Sequence, residues 1–103
     1  MKARPGQILA SPVDTTMVIV VRAPDLDIDL TCAGVQMWDP KAGGDAPAGS
    51  ADPAQLTGTQ LGKRYADADL GLELLCTKPG QGTIAVGGVA LPMMGPKTLP
   101  ASD

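Results

Sequence analysis

Short apolar runs separated by glycine and proline constrain the fold of this chain more than any other feature. The run TMVIVVR at 16–22 is rich in β-branched residues, and further extended runs follow within 59–78, at 82–86 and at 89–93. β-Branched residues favour strands, and the intervening proline and glycine pairs favour turns. The sequence therefore predicts an all-β fold, a small antiparallel β domain.

A second strand signal is the alternation in DLDIDL at 25–30. The apolar side chains are Leu26, Ile28 and Leu30, and the acidic ones are Asp25, Asp27 and Asp29. Such alternation predicts a half-buried antiparallel strand, and with the preceding run it predicts a hairpin over 17–31. The carboxylates could bind calcium, but strand spacing would put the outer two about 14 Å apart. We therefore expect a solvated strand face.

The segment 40–58 consists almost entirely of Pro, Ala, Gly, Ser and Asp. This composition predicts a linker or a mobile loop. Within it, SADPAQL at 50–56 could form one helical turn, capped by Ser50 or Asp52, with Pro53 at the first helical position. Before it, VQMW at 35–38 predicts a short extended piece.

Length and charge limit the classes of protein that the chain can belong to. The 103 residues fit a single domain, 1–103, whose core must be aliphatic because there is no Phe, one Trp and one Tyr. So small a domain buries a limited fraction of its surface, and a partner or a homo-oligomer would help to stabilise it. The net charge is −3 and the basic residues are scattered, so we expect no nucleic-acid partner. Without an apolar run of membrane-spanning length or a signal core, we expect no membrane contact and a cytoplasmic location.

The absence of histidine excludes most familiar hydrolytic machinery. Ser-His-Asp triads, Cys-His pairs and imidazole zinc sites cannot be built. Gly80, Gly82 and Ala85 form a G-x-G-x-x-A pattern, but TIAVGG after Gly82 cannot form the helix that a nucleotide fingerprint requires. We interpret KPGQG at 78–82 as a hairpin turn and predict a protein that is not an enzyme and has no cofactor.

The two halves of the chain are similar to each other. Gln7 aligned with Gln60 brings Asp14 opposite Asp67, and after an insertion at Gly71 the pair Gly34–Val35 falls on Gly88–Val89. The MWDPK at 37–41 then matches MMGPK at 93–97. The predicted organisation is repeat 1 at 5–41, a linker loop at 42–58, repeat 2 at 59–97 and a tail at 98–103.

Each half also resembles a known family. CAGVQM at 32–37 matches a closing Cys-Cys-Gly-x-x-Met motif with the second cysteine replaced, preceded by a strand, a knuckle and a further strand. In this pattern the chain resembles desulforedoxin and the N-terminal module of desulfoferrodoxin, small rubredoxin-type iron proteins. The resemblance implies two desulforedoxin-like hairpin repeats, arranged like the two-fold dimer that the family's modules form.

The family binds iron through four thiolates, two from a C-x-x-C knuckle and two from the closing pair. The resemblance places Asp14, Met17, Cys32 and Ala33 at these positions in the first half, and Asp67, Leu70, Val86 and Gly87 in the second. Since one thiolate of eight remains, a tetrathiolate centre cannot form. The resemblance thus implies a scaffold that has lost its metal, with a residual site at Cys32 and Asp14 as the alternative.

The remaining candidate residues are two cysteines and a set of surface positions. Cys32 and Cys76 could form a disulfide, but we favour two separate buried thiols, with a reactive Cys32 as a further alternative. Candidate partner-binding residues are Met37, Trp38, Lys63, Arg64 and Tyr65. Burial over the aliphatic core is the alternative for Trp38, and an exposed edge strand is the alternative for the basic pair.

These observations favour a non-enzymatic accessory or interaction protein, a small subunit or module that binds a protein partner or a larger enzyme subunit. The alternative is a small metal-binding or electron-transfer protein with its site at Cys32.

Overall fold

The protein folds as two antiparallel β-sheets in a computed structural model that describes residues 2–42 and 44–94. The strands are β1 (Ile8–Ala10), β2 (Met17–Arg22), β3 (Leu30–Cys32), β4 (Val35–Gln36), β5 (Arg64–Asp67), β6 (Leu72–Lys78), β7 (Ile84–Val86), β8 (Val89–Ala90) and β9 (Met93–Met94). One short 3₁₀ helix, Pro40–Ala42, follows β4. The all-β prediction is confirmed for the described residues. The predicted tail at 98–103 and the end of repeat 2 lie outside them.

Each sheet combines strands from both halves of the chain, with the first-half strands on one side and the second-half strands on the other. The first sheet has the order β1-β2-β6-β5-β9 and the second has the order β4-β3-β7-β8. At the centre of the first sheet β2 pairs with β6, and at the centre of the second β3 pairs with β7, both antiparallel. The central pairs therefore join the first half of the chain to the second.

The core is aliphatic, as the composition predicted. Fully buried side chains include Leu9, Val18, Val20, Leu30, Leu72 and Leu74. Strand periodicity explains the set, because buried and exposed positions alternate along β2 and β6. Tyr65 is the aromatic residue that joins the core, with 6% of its surface exposed.

The predicted hairpin over 17–31 is wrong. β2 pairs with β1 and β6, and the chain does not become a strand again until Leu30. Residues 25–29 instead cross from the first sheet to the second, where Leu26 is 48% exposed and Ile28 only 5%. The acidic residues of this segment are solvent-exposed, as predicted, but they lie on a connection and not on a strand face.

KPGQG at 78–82 is likewise a crossover and not a hairpin turn. β6 belongs to the first sheet and β7 to the second, so the segment carries the chain between the sheets. Gly80 exchanges backbone hydrogen bonds with Thr59, which holds the crossover against the start of the second half. A strand, β7, and not a helix follows Gly82, as predicted for a G-x-G pattern that does not bind a nucleotide.

Residues 49–57 are packed against the second sheet, so this part of the predicted linker or mobile loop at 40–58 is held in place. The Asp52 N–H donates to the Ala33 carbonyl at 2.8 Å, and the Thr83 N–H donates to the Gln55 carbonyl at 2.9 Å. The predicted helical turn is a single hydrogen-bonded turn at 52–55, in which Asp52 Oδ1 accepts from the Ala54 N–H, as a cap would. Backbone hydrogen bonds thus hold in place a segment whose composition suggested none.

The two halves repeat the same backbone hydrogen bonds. In the first hairpin of each half the same bond recurs 56 residues later: the Gly6 N–H donates to the Val20 carbonyl, and the Gly62 N–H donates to the Cys76 carbonyl. The second hairpins repeat at a spacing of 54, where Met37 bonds to Leu30 and Leu91 to Ile84. The change in spacing falls in the crossovers, 23–29 and 79–83, the second of which is two residues shorter.

Candidate functional site

The β1–β2 connection, residues 11–16, carries a network of polar side chains centred on Asp14. Asp14 Oδ1 accepts from the Thr16 N–H at 2.9 Å, and Oδ2 accepts from the Gly82 N–H at 2.7 Å. Ser11 Oγ accepts from the amides of Val13 and Asp14, which fixes the tight turn. Because Gly82 lies two residues before β7 of the second sheet, the Asp14 carboxylate links the two sheets.

The pKa of Asp14 is lowered from its ordinary value of 3.8. Partial burial alone would raise this pKa, but hydrogen bonds from the Thr16 and Gly82 amides and from the Ser11 and Thr16 hydroxyls outweigh it. Hydrogen bonds to a carboxylate favour its charged form. Asp14 is therefore an anion at neutral pH.

Cys32 lies against this anion and is fully buried. Its Sγ is 3.9 Å from Asp14 Oδ1, a distance that allows a weak S–H···O hydrogen bond. Burial raises the pKa of the Cys32 thiol, and the negative charge of Asp14 raises it further. A neutral thiol is a poor nucleophile, so the geometry disfavours the alternative of a reactive cysteine.

Two glycines make room for the network. A Cβ on Gly80 would collide with the Thr16 hydroxyl and lie 2.8 Å from the Thr16 nitrogen. A Cβ on Gly82 would collide with Cys32 Sγ and lie 3.0 Å from Asp14 Oδ2. The G-x-G pattern therefore serves close packing of the crossover against Asp14 and Cys32.

The donor set at this site does not fit a tetrathiolate metal centre. Cys32 supplies one sulfur and Ala33, at the second closing position, supplies a methyl group. Within residues 2–42 and 44–94 there is no group of three or more His, Cys, Asp or Glu side chains that could hold a metal ion. The site does contain the predicted pair Cys32 and Asp14, in contact.

The structural counterpart of this connection differs from the predicted one. Asp67 Oδ1 accepts from the Asp69 and Leu70 amides, two and three residues on, as the Ser11 hydroxyl does in the first half. Ser11 therefore corresponds to Asp67, and Asp14 to Leu70, so the predicted equivalence of Asp14 with Asp67 is wrong. The signal in the sequence was an oxygen-bearing side chain, Ser11 or Asp67, followed three positions later by the residue that faces inward, Asp14 or Leu70.

Cys76 is a separate buried thiol, as expected. Both cysteines are free, and Cys76 Sγ donates to the Lys78 carbonyl at 3.1 Å. Burial raises the pKa of Cys76, and the hydrogen bond with Lys78 opposes this only in part. In the repeated hydrogen bonds the counterpart of Cys76 is Val20, whereas the sequence alignment, with its offset of 54 after Gly71, makes it Arg22.

The candidate partner-binding residues divide into buried and exposed sets. Met37 is 1% exposed and Tyr65 6%, so the expectation that they face a partner is wrong. Tyr65 is held inside by the core, and its hydroxyl accepts from the Gln60 N–H at 2.9 Å. Trp38 is half-buried, and its backbone pairs with Ala10.

Lys63 and Arg64 are the two predicted partner-binding residues that face solvent. Arg64 also pairs with Glu73 at 3.0 Å between Nη1 and Oε2. Near them, Leu61 is 62% exposed and Met93 is 44% exposed. Sequence reasoning missed both apolar residues because the strand pattern does not show which strand ends a sheet.

A shallow cavity of about 290 Å³ lies beside β1 and is lined by Arg4, Pro5, Gly6, Gln7, Ile8, Asp39 and Lys41. Asp39 accepts from the Gln7 side chain and from the Lys41 N–H, and these hydrogen bonds lower its pKa. The carboxylate in this cavity is thus already satisfied by the protein.

No protein-family model, curated protein or solved structure matches this chain. The fold and the site define its class: a small all-β protein of two antiparallel sheets, linked by a partly buried polar network. In the part of the chain that the structure describes, no helix is long and apolar enough to span a membrane.

Proposed function

We propose that this protein is a non-enzymatic interaction protein, a small accessory subunit or partner-binding module. The observation that carries the proposal is a pair of exposed apolar residues, Leu61 and Met93, called here the β9 patch. Leu61 lies three residues before β5, and Met93 lies in β9, the last strand of the first sheet among the described residues. Leu61 is 62% exposed and Met93 is 44% exposed. Edge strands with exposed apolar side chains are available for association with another protein.

The β9 patch surrounds one anchored residue. Met93 lies opposite Tyr65 in the β5–β9 register, and Gln60, which precedes Leu61, bonds the Tyr65 hydroxyl. Lys63, just before β5, adds an exposed positive charge, whereas the charge of Arg64 is paired with Glu73. Methionine is enriched at protein interfaces, and the buried, hydrogen-bonded Tyr65 beside Met93 in the sheet limits the entropy lost on binding.

The scaffold, in this proposal, is an internal duplication with a desulforedoxin-like ancestry. Its support is the repeated hydrogen-bond pattern and the pairing at the centre of each sheet. Ile19 pairs with Leu75, which lies 56 residues later, and Thr31 pairs with Ala85, which lies 54 residues later. Residues that pair with their own counterparts are expected where a two-fold axis relates two repeats.

A role without catalysis is supported by the chemistry of the candidate nucleophile. The neutral, buried Cys32 lies beside an anion that opposes its deprotonation. We also propose the cytoplasm as the compartment, a proposal that subcellular fractionation of the native cells can test.

Co-purification tests the proposed function. Tagged protein at native expression should bring down one larger protein at a fixed ratio, measured by light scattering on the purified complex. The double variant Leu61→Lys/Met93→Lys should lose this protein. Leu26→Lys is the matched control, because Leu26 is 48% exposed on the crossover between the sheets. A native protein that purifies alone would contradict the proposal, and so would equal capture by the double variant.

The second candidate function is metal binding at a residual site, favoured by the 3.9 Å approach of Cys32 Sγ to Asp14 Oδ1. Its test is metal analysis of protein purified from the native cells without chelators. Stoichiometric iron or zinc that is lost in Cys32→Ser would support this candidate. Metal far below one equivalent, with no visible absorbance, would reject it.

A further inference from the structure

The linker loop covers a β-turn of the first half in a defined way. Val35, just after the turn, is only 8% exposed. Gly49 packs against it so closely that a Cβ added to Gly49 would lie 3.0 Å from the Val35 methyl groups. The Asp52 N–H donates to the Ala33 carbonyl of the turn at 2.8 Å. Residues 49–52 thus form an extended cover over this turn.

The same turn recurs in the second half. Ala33 and Gly34 have φ angles of 53° and 80°, and Gly87 and Gly88 have 58° and 83°. Positive φ at both central residues is the geometry of a two-residue type I′ hairpin turn. The next residue, Val35 in one half and Val89 in the other, begins the outer strand of the second sheet.

In the second half no described residue covers this turn. Val89 is 71% exposed, and a Cβ on Gly87 or Gly88 would meet nothing within 4 Å. Among the described residues no backbone donor reaches the Gly87 carbonyl, whereas its counterpart, the Ala33 carbonyl, is bonded to Asp52. The open surface formed by Asp29 and 87–90 is called here the β8 surface.

A carboxylate at the β8 surface indicates the charge of the missing cover. In the first half the Ala33 N–H of the turn donates to the Thr83 carbonyl, and in the second half the Gly87 N–H donates to the Asp29 carbonyl, each at 3.0 Å. In the first half the Thr83 hydroxyl accepts from the Thr57 N–H at 3.0 Å and lies 2.7 Å from the Thr57 hydroxyl. At the corresponding place in the second half stands the exposed carboxylate of Asp29, which would bind a cation more strongly than a hydroxyl.

We propose that the β8 surface binds an extended segment of a partner protein, with a glycine over Val89 and a lysine or arginine eight residues later beside Asp29. The spacing is that from Gly49 to Thr57 in the chain's own loop. The inference rests on the proposed interaction function and names a second contact of the same partner. A second copy is disfavoured as the occupant, because its own 49–57 segment is already bound to its own first half.

A backbone N–H of the segment that donates to the Gly87 carbonyl, as Asp52 does to Ala33, would contribute to its affinity. The close contact with Val89 and the charge beside Asp29 would give its specificity. The glycine is required because any side chain would collide with the valine methyls, as at Gly49. The cation adds an exposed ion pair, worth about a two- to fivefold change in affinity at low salt.

The test uses a synthetic peptide with the sequence of residues 47–58 and arginine in place of Thr57. Titration into the ¹⁵N-labelled full chain should shift the amides of Asp29 and 87–90 and leave 33–35 unchanged. The matched peptide with glutamate in place of Thr57 should bind roughly two- to fivefold more weakly. Asp29→Asn should remove that difference, and Val89→Lys should abolish the shifts; Val89 is exposed, so this variant should fold.

Four outcomes would overturn the inference: no shift at 87–90 with millimolar peptide, equal shifts in Val89→Lys, a dimer that Val89→Lys converts to a monomer, or contacts of the Val89 methyls with residues after Met94 in the free protein. The third would assign the surface to a second copy and the fourth to the chain itself. A partner captured through the β9 patch, together with failure of the peptide, would reject this inference and leave the proposed function standing.

Discussion

Removal of the Asp14 carboxylate should strongly destabilise the fold, because this side chain joins the two sheets. In Asp14→Ala the amides of Thr16 and Gly82 lose their acceptor, and both residues are buried. A hydrogen bond to a charged group contributes about 1.5–3 kcal/mol, and a buried N–H left unpaired costs about 1–3 kcal/mol. These contributions overlap, and water can partly replace the side chain, so we expect a loss of roughly 3 kcal/mol.

A loss of this size is large for a domain of this length. Unfolding of a small domain shifts by about 4–8 °C per kcal/mol, so the Tm should fall by about 12–24 °C. Urea unfolding of both proteins at pH 7 measures the difference directly, with an unchanged m-value showing that the folded state is intact. Asp29→Ala is the control, because Asp29 is an exposed carboxylate whose backbone, not its side chain, makes the described hydrogen bond.

The effect should depend on pH in one direction. Since the folded-state pKa of Asp14 is lowered, its charge stabilises the fold above the ordinary value of 3.8. This contribution is lost as the pH falls below about 4 towards the folded pKa. The stability of wild type should therefore decline towards that of Asp14→Ala in acid. A destabilisation below about 0.5 kcal/mol at pH 7 would refute the inferred link between the sheets, and so would a pH-independent difference.

Three further changes test other features of the site and core. Gly82→Ala should destabilise by about 1–3 kcal/mol in urea unfolding, because the new methyl group collides with Cys32 Sγ; a neutral effect would mean that the crossover is loosely packed. Tyr65→Phe should lower the free energy of unfolding by about 0.5–1.5 kcal/mol, since the Gln60 N–H loses its acceptor. Unchanged stability would mean that water replaces this hydrogen bond without cost. Cys32 and Cys76 should react with a thiol reagent at the rate of global unfolding, because both are buried with raised pKa values; labelling of the native protein within seconds would contradict this.

Local sequence signals predicted the strands well because β-branched runs carry their own conformational preference. β2 was predicted from the β-branched run TMVIVVR and β6 from an extended run within 59–78, and both are central strands. The partner of β2 was not predictable, since nothing in MVIVVR distinguishes its neighbour in sequence from β6, which lies more than 50 residues away. The alternation at 25–30 was misleading because Ile28 and Leu30 are indeed buried, although residues 25–29 lie on a connection between the sheets and not in a strand.

The polar site was partly visible in the sequence and partly hidden by the alignment. Asp14 and Cys32 were both singled out, and the structure brings them together. Gly82 was considered for phosphate binding, whereas its N–H donates to Asp14. Sequence similarity of a few residues could not fix the spacing between the halves, which changes from 56 to 54 in the shorter crossover. The hydrogen bonds fix that spacing because each backbone donor has one geometric counterpart.

Equivalent positions in the two halves carry different side chains, so the two halves do not present the same surfaces. In the first half Asp14 bonds Gly82 across the sheets; the corresponding positions in the second half are Leu70 and Ile28, both in or against the apolar core. The same asymmetry appears at the second sheet, where the linker covers Val35 while Val89 is 71% exposed. A duplicated scaffold that kept two equal faces would bind two equal partners. In this chain one half is fixed by a polar link and covered by its own loop, so the proposed partner would contact the other half.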